Sequence, residues 1–228
     1  MQKWQHGTNV YFKEWKLSNT ASIYKPELLP HSFISFSQDK ELLEGSGSGR
    51  CEIKIKKDAN IINLLEDSSF SEELWNQVKN HPFGKIHAAT KSIHEWHNAC
   101  KTGAILRPNV IPNEQHLAWM TELHTIRDEN VTNLILQNFV RHWIEFFIST
   151  VRSNGFDGVI CNEYTQFGKN GPRTSLNLYI FNPAVISKPL WIRIPDHKKT
   201  AEKMKMYERV DIKNNIKFIR SYPYYFSY

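Results

Sequence analysis

Asn154-Gly155-Phe156-Asp157-Gly158-Val159-Ile160-Cys161-Asn162-Glu163 packs a helix stop, a turn and a strand into consecutive residues. Asn154-Gly155 suits a left-handed helix cap, because glycine adopts positive φ without a Cβ penalty. Phe156-Asp157-Gly158 is a turn signature in which the aspartate side chain bonds local backbone, so the Asp157 carboxylate is expected to be structural. Val159, Ile160 and Cys161 then form a strand that delivers Glu163 at its end. A long helix feeding a carboxylate strand is the frame on which the rest of the chain is placed.

Upstream of this stretch the apolar period is helical. Leu136, Phe139, Val140, Trp143, Phe147 and Val151 recur at spacings of three and four, with Gln137, Arg141, His142, Glu145 and Arg152 on the other face. Ser92 to Cys100 reads as a helix stopped at Gly103, and Ser69-Phe70-Ser71-Glu72 has capping-box spacing for a helix ending before His81-Pro82. Asn113 is placed to cap another helix through Leu123. The opening third reads as strands at Val10-Tyr11-Phe12, Phe33 to Phe36, Cys51 to Lys56 and Ile61 to Leu64, with Glu44-Gly45-Ser46-Gly47-Ser48-Gly49 as a flexible loop. Tyr164 to Pro172 is a polar loop and Leu176 to Phe181 a strand ended by Asn182-Pro183. Strands at both ends with helices inserted between them predict an α+β fold, one domain over 1–228. Residues 66–154 are the helical insertion, and 190–228 form a basic and aromatic C-terminal extension.

At 228 residues, 40% hydrophobic and 13% aromatic, the chain has ample material for one core. Its net charge of +6 and pI near 9.1 suit an acidic or phosphate-bearing partner, though a solvated basic surface accounts for them equally. Cys51, Cys100 and Cys161 share no metal-like spacing and read as reduced thiols of a cytosolic protein. Met1 to His6 shows no signal peptide, and Leu134 to Ile148 is too short and too polar to span a bilayer. The expected location is a cytoplasm, or a host cytosol reached without an N-terminal signal. No glycine-rich dinucleotide fingerprint or Walker loop is present.

Three local patterns occur in order: His6-Gly7-Thr8, then Phe33-Ile34-Ser35-Phe36-Ser37-Gln38-Asp39, then Gly155 to Ile160 with Asn162-Glu163, followed by Tyr179-Ile180-Phe181-Asn182-Pro183 and Ile186. In this combination the chain resembles the ADP-ribosyltransferases, in particular the small bacterial and phage branch that includes an anti-CRISPR enzyme and intracellular effectors. The resemblance covers roughly 4–64 and 136–186 and implies a split β-sheet and NAD as substrate. It implies that His6 bonds ribose hydroxyls, that the Gly7 backbone pairs with the nicotinamide carboxamide, and that the Thr8 hydroxyl supports the strand. Phe36 or Phe33 would stack on the nicotinamide, with Ser35 or Ser37 fixing their neighbours. Glu163 would stabilise the oxocarbenium-like ribose and hold its 2′-hydroxyl. The family often has an acidic residue or glutamine two positions before this glutamate; here that residue is Cys161, which leaves the acceptor open.

Singly, each pattern has a plainer reading. His-Gly-Thr alone is a turn, and Glu163 alone is a solvated strand end. Phe33, Ser35 and Ser37 alternate with Ile34 and Phe36, so the two phenylalanines face opposite ways. His94, His97 and Cys100 lie on one helix face at a spacing seen in zinc sites, but without a second ligand pair they read as surface or packed residues, and no metal is assigned. Between Asp196 and Arg220 eight basic residues stand against four acidic ones, a solvated helix face or a docking surface for an acidic protein or nucleic acid. The function expected is mono-ADP-ribosylation of a target protein, with arginine the preferred acceptor. An enzyme of the same fold acting on nucleic acid, an NAD glycohydrolase and a non-catalytic binding domain stay open.

Overall fold

A computed structural model of the chain describes residues 3–17, 29–81, 92–106, 129–165 and 173–196. The strands are β1 (Trp4–Thr8), β2 (Ile34–Ser37), β3 (Gly49–Ile53), β4 (Ile61–Asn63), β5 (Gly158–Thr165), β6 (Arg173–Ile180) and β7 (Leu190–Arg193). The helices are α1 (Lys40–Ser46), α2 (Ser68–Asn80), α3 (Ile93–Thr102) and α4 (Glu129–Ser153), with short 3-10 turns at Ala104–Leu106 and Pro183–Val185. The fold is α+β. None of the described helices is long and apolar enough to cross a membrane.

All seven strands belong to one sheet in the order β4-β5-β6-β2-β1-β3-β7, with β4 parallel to β5 and the other pairs antiparallel. The helices between β4 and β5 supply the crossover a parallel pair requires. The sheet expected to be split is thus continuous, but it has a seam. β1 is in register with β3 from Trp4↔Ile53 to Thr8↔Gly49, whereas β1 and β2 share the single pair Gln5↔Ser37.

One face of the sheet is covered by α2, α3 and α4. Their core includes Leu74, Trp96, Trp143, Phe147 and Val151, which meet Val159, Cys161 and Tyr179 of the sheet. Trp143 is fully buried, as the helical period predicts, and its indole N–H donates to the Ile105 carbonyl at 2.6 Å. Leu136 and Phe139 fall outside the described side chains. The opposite face buries Trp4, Ile34, Phe36, Ile53, Leu178 and Ile180, with Trp15 and Val185 packed against them.

The helix ends follow local chemistry. Asp67 rather than Ser69 caps α2, its Oδ1 accepting from the Phe70 amide at 2.8 Å. Ser92 and Glu95 form the capping box of α3, and Gly103 ends that helix in the left-handed region. Other expectations are corrected. Val10-Tyr11-Phe12 is not a strand; the strand is one turn earlier, where Trp4 faces the core, and Val10 and Tyr11 are exposed. Glu44 to Ser46 is the last turn of α1, capped at its start by Asp39, so the expected loop reduces to Gly47-Ser48. β7 was not expected: it pairs along β3 with a bulge and makes residues 190–193 part of the sheet. Tyr164 and Thr165, expected to open a loop, are the last residues of β5. The rest of that loop, the expected helix beginning at Asn113 and the basic segment after Asp196 lie outside the described residues.

Gly7 has an architectural reason to be glycine. A Cβ there would stand 2.1 Å from the Leu43 carbonyl oxygen, because α1 rests directly on β1. The neighbour is backbone, which cannot rotate away. Gly7→Ala is therefore expected to cost about 1–3 kcal/mol, the range for overpacking a tight contact. Chemical denaturation measures it, and an unchanged midpoint would show that α1 does not sit as described.

Candidate active site

Antiparallel pairing of β5 with β6 sets Glu163 opposite Ser175, with Asn177 and Tyr179 following on the same face. Asn177 Nδ2 donates to Glu163 Oε2 at 2.8 Å, and the Tyr179 hydroxyl donates to the same oxygen at 2.9 Å. Both donors are buried, Asn177 at 3% and Tyr179 at 4% exposure, whereas Glu163 is half-buried. Burial, and next the Glu163 charge, push the Tyr179 phenol well above its ordinary pKa, so it keeps the proton it donates. An ionised carboxylate only accepts, which fixes the Asn177 amide with nitrogen toward Glu163. The amide oxygen Oδ1 is then left buried without a partner among the described residues. Buried acceptors are rarely left in that condition, and a ligand donor or an ordered water would complete this one.

The helical layer braces this end of β5. Gly103, at φ +80°, accepts from the Tyr164 amide at 3.4 Å, and Thr174 Oγ1 donates to the Thr102 carbonyl at 2.9 Å. A Cβ on Gly103 would lie 2.5 Å from the Tyr164 nitrogen, so both the positive φ and the close approach require glycine.

The β2–β6 register puts Ser35 beside Tyr179 and Ser37 beside Asn177. Ser35 is exposed; Ser37 is buried, its hydroxyl accepting from the Asp39 amide at 3.0 Å at the turn into α1. Phe33 is on the same face, 4.6 Å from the Tyr179 ring centroid, and the ring of His31 stacks on it at 4.5 Å. Phe36 does not share this face. It is 1% exposed in the opposite core, 5.8 Å from His6 and 5.1 Å from Trp15. Neither phenylalanine therefore offers an open ring to a nicotinamide: strand alternation turns Phe36 away, and His31 covers Phe33. The other end of this stack is His31, which is half-buried.

His6, Gly7 and Thr8 lie at the seam. His6 Nδ1 donates to the Ser35 carbonyl at 2.8 Å, replacing the ladder bonds that β1 and β2 do not make. Burial lowers the His6 pKa, only partly offset by that carbonyl, and the ring is neutral with Nε2 as its acceptor. The position over Gly7 is taken by α1, so the missing Cβ makes room for the helix rather than for a ring. Thr8 Oγ1 accepts from the Val10 amide at 3.1 Å, a local bond at the strand end.

Several site residues carried no recognisable local signal. Asn177 became visible only through the β5–β6 register, which also shows what the Tyr179 hydroxyl holds, and His31 only through its stack. Arg50 pairs with Gly7 across β1–β3 and with Arg193 across β3–β7, so all three share the Glu163 face. Its Nε and Nη2 are buried without a hydrogen-bond partner among the described residues, an arrangement that an anionic oxygen would complete.

The other carboxylate of the stretch that ends in Glu163 is structural. Asp157 accepts from the Asn60 amide at 3.0 Å and the Asn182 side chain at 2.8 Å, tying the turn before β5 to the end of β6. The three cysteines are free and buried. Cys161 is fully buried, its thiol pushed well above its usual pKa, while burial drives Cys51 to about 12 and Cys100 to about 11. Cys100 accepts from the Ser71 hydroxyl, and His94 is exposed. Among the described residues no three His, Cys, Asp or Glu side chains are grouped to hold a metal ion.

Comparison of the chain with protein-family models, with curated proteins and with solved structures returns no match.

Proposed function

We propose that the chain is a mono-ADP-ribosyltransferase that moves ADP-ribose from NAD to a side chain, preferably arginine, of a target protein and releases nicotinamide. The observation that carries this reading is the clamp on Glu163: a carboxylate fixed by two buried donors on a face shared with Phe33, Ser35 and Ser37. Breaking the nicotinamide–ribose bond leaves positive charge on the ribose, and a carboxylate already oriented there stabilises it without reorganising. The unpartnered Asn177 Oδ1 suits a ribose hydroxyl or a carboxamide N–H, and the unpartnered Arg50 nitrogens suit the NAD diphosphate. Three buried free thiols fit a reducing cytosol, the cell's own or a host's.

The test is incubation with labelled NAD and whole-cell lysate, followed by nuclease or protease. Label that survives nuclease and is lost to protease supports transfer to protein, and mass spectrometry then identifies the acceptor. The opposite pattern would replace it with a nucleic-acid acceptor. Free ADP-ribose alone would make the chain a glycohydrolase, and no nicotinamide release would leave a binding domain.

A further inference from the structure

Transfer needs more than cleavage, because the incoming nucleophile must lose a proton as it bonds to the ribose. Cys161, two residues before Glu163, cannot take it: the side chain is wholly buried under the helices. A different pair stands at the His31 end of the aromatic stack. His31 Nδ1 donates to Glu145 Oε1 of α4 at 2.7 Å, and the Ser32 amide donates to both carboxylate oxygens at 3.0 Å. The carboxylate is thereby held on two sides, and it fixes the His31 tautomer with the proton on Nδ1. Nε2 then carries the lone pair, and it has no hydrogen-bond partner among the described residues. The side chain is 20% exposed, so the ring is not sealed from solvent. The stack His31–Phe33–Tyr179 ends on the hydroxyl that holds Glu163, and the Glu163 charge acts on His31 alongside those of Arg141 and Glu145.

We propose that His31 is the general base of the transfer step, oriented by Glu145, and that the acceptor is a protonated nucleophile, a guanidinium or hydroxyl side chain. The inference rests on the ADP-ribosyl-transfer reading above. The acceptor N–H or O–H attacks the ribose C1′, and the C1′–N bond to nicotinamide breaks with its electron pair going to the ring nitrogen. The acceptor proton passes to His31 Nε2, and the resulting imidazolium is neutralised by Glu145. No redox partner is required. Burial lowers the His31 pKa and outweighs its bond to Glu145, so the free ring is unprotonated at neutral pH and ready to accept. In this scheme His31 is catalytic and Glu145 is a positioning residue.

The experiment reads two products from one reaction of the full chain with labelled NAD and the acceptor identified in lysate. His31→Gln keeps a donor toward Glu145 but has no basic nitrogen. The ratio of transferred to hydrolysed ADP-ribose is expected to fall about a hundredfold, the lower range for loss of a positioned base. An unchanged ratio, with the variant folded by near-ultraviolet circular dichroism, would overturn the proposal. Nitrogen NMR of the histidine rings gives an independent readout. At pH 7 wild-type His31 should carry its proton on Nδ1, and Glu145→Gln should shift population to the Nε2–H tautomer. A wild-type ring protonated on Nε2 would overturn the base assignment whatever the NAD result. A correct tautomer with no nicotinamide release would instead defeat the transferase reading itself.

Discussion

Glu163→Gln is expected to slow nicotinamide release by about a hundredfold or more, the usual consequence of removing one preorganised electrostatic stabiliser. The substitution is nearly isosteric. A glutamine oxygen can still accept from Tyr179 and Asn177, so the clamp and the fold persist while the negative charge does not. NAD binding should largely survive. Transfer and hydrolysis should fall together, because both pass through the same cationic ribose. Asp157→Asn is the matched control. Its carboxylate ties Asn60 to Asn182 in the turn before β5, so its loss should lower stability rather than chemistry. Abolished turnover in a fully folded Asp157→Asn protein would transfer the catalytic role to that residue.

The second large effect is on stability. Trp143→Ala should destabilise the protein by about 3–5 kcal/mol, the range for deleting a large buried aromatic. Trp143 is fully buried, lies 6.4 Å from Phe147 and 5.8 Å from Phe146 by ring centroids, and donates to the Ile105 carbonyl. Alanine opens a cavity and strands that buried carbonyl, and the two costs add. Ile105 is in the turn just after Gly103, which braces Tyr164 beside Glu163. The variant should therefore lose activity as well as stability. Denaturant unfolding decides the matter: a midpoint shift equivalent to under about 1 kcal/mol would place the tryptophan outside a tight core.

The helices were legible because their signals are local. Ser92, Glu95 and Gly103 bound α3, and the three-and-four spacing through Trp143 and Phe147 gives α4 and its buried face. The strand to Glu163 and the structural role of Asp157 were readable for the same reason. What failed depends on distant partners. α1 hides in a glycine–serine run because its stability comes from resting on Gly7 and from the Asp39 cap, not from an apolar stripe. Leu190 to Arg193 becomes a strand only by pairing with β3. The clamp on Glu163 joins residues 14 and 16 positions apart, and the His31–Glu145 pair joins residues 114 apart, so neither leaves a motif. Strand alternation did separate Phe33 from Phe36, but only the structure shows that His31 covers Phe33.

The most direct measurement is nicotinamide released from NAD by the purified wild-type chain and by Glu163→Gln, followed chromatographically at equal protein concentration. Wild type is expected to release nicotinamide steadily, and the variant, melting like wild type, to lose about a hundredfold or more. Release by the variant at near wild-type rate, or none by wild type in the presence of its acceptor, would contradict that expectation.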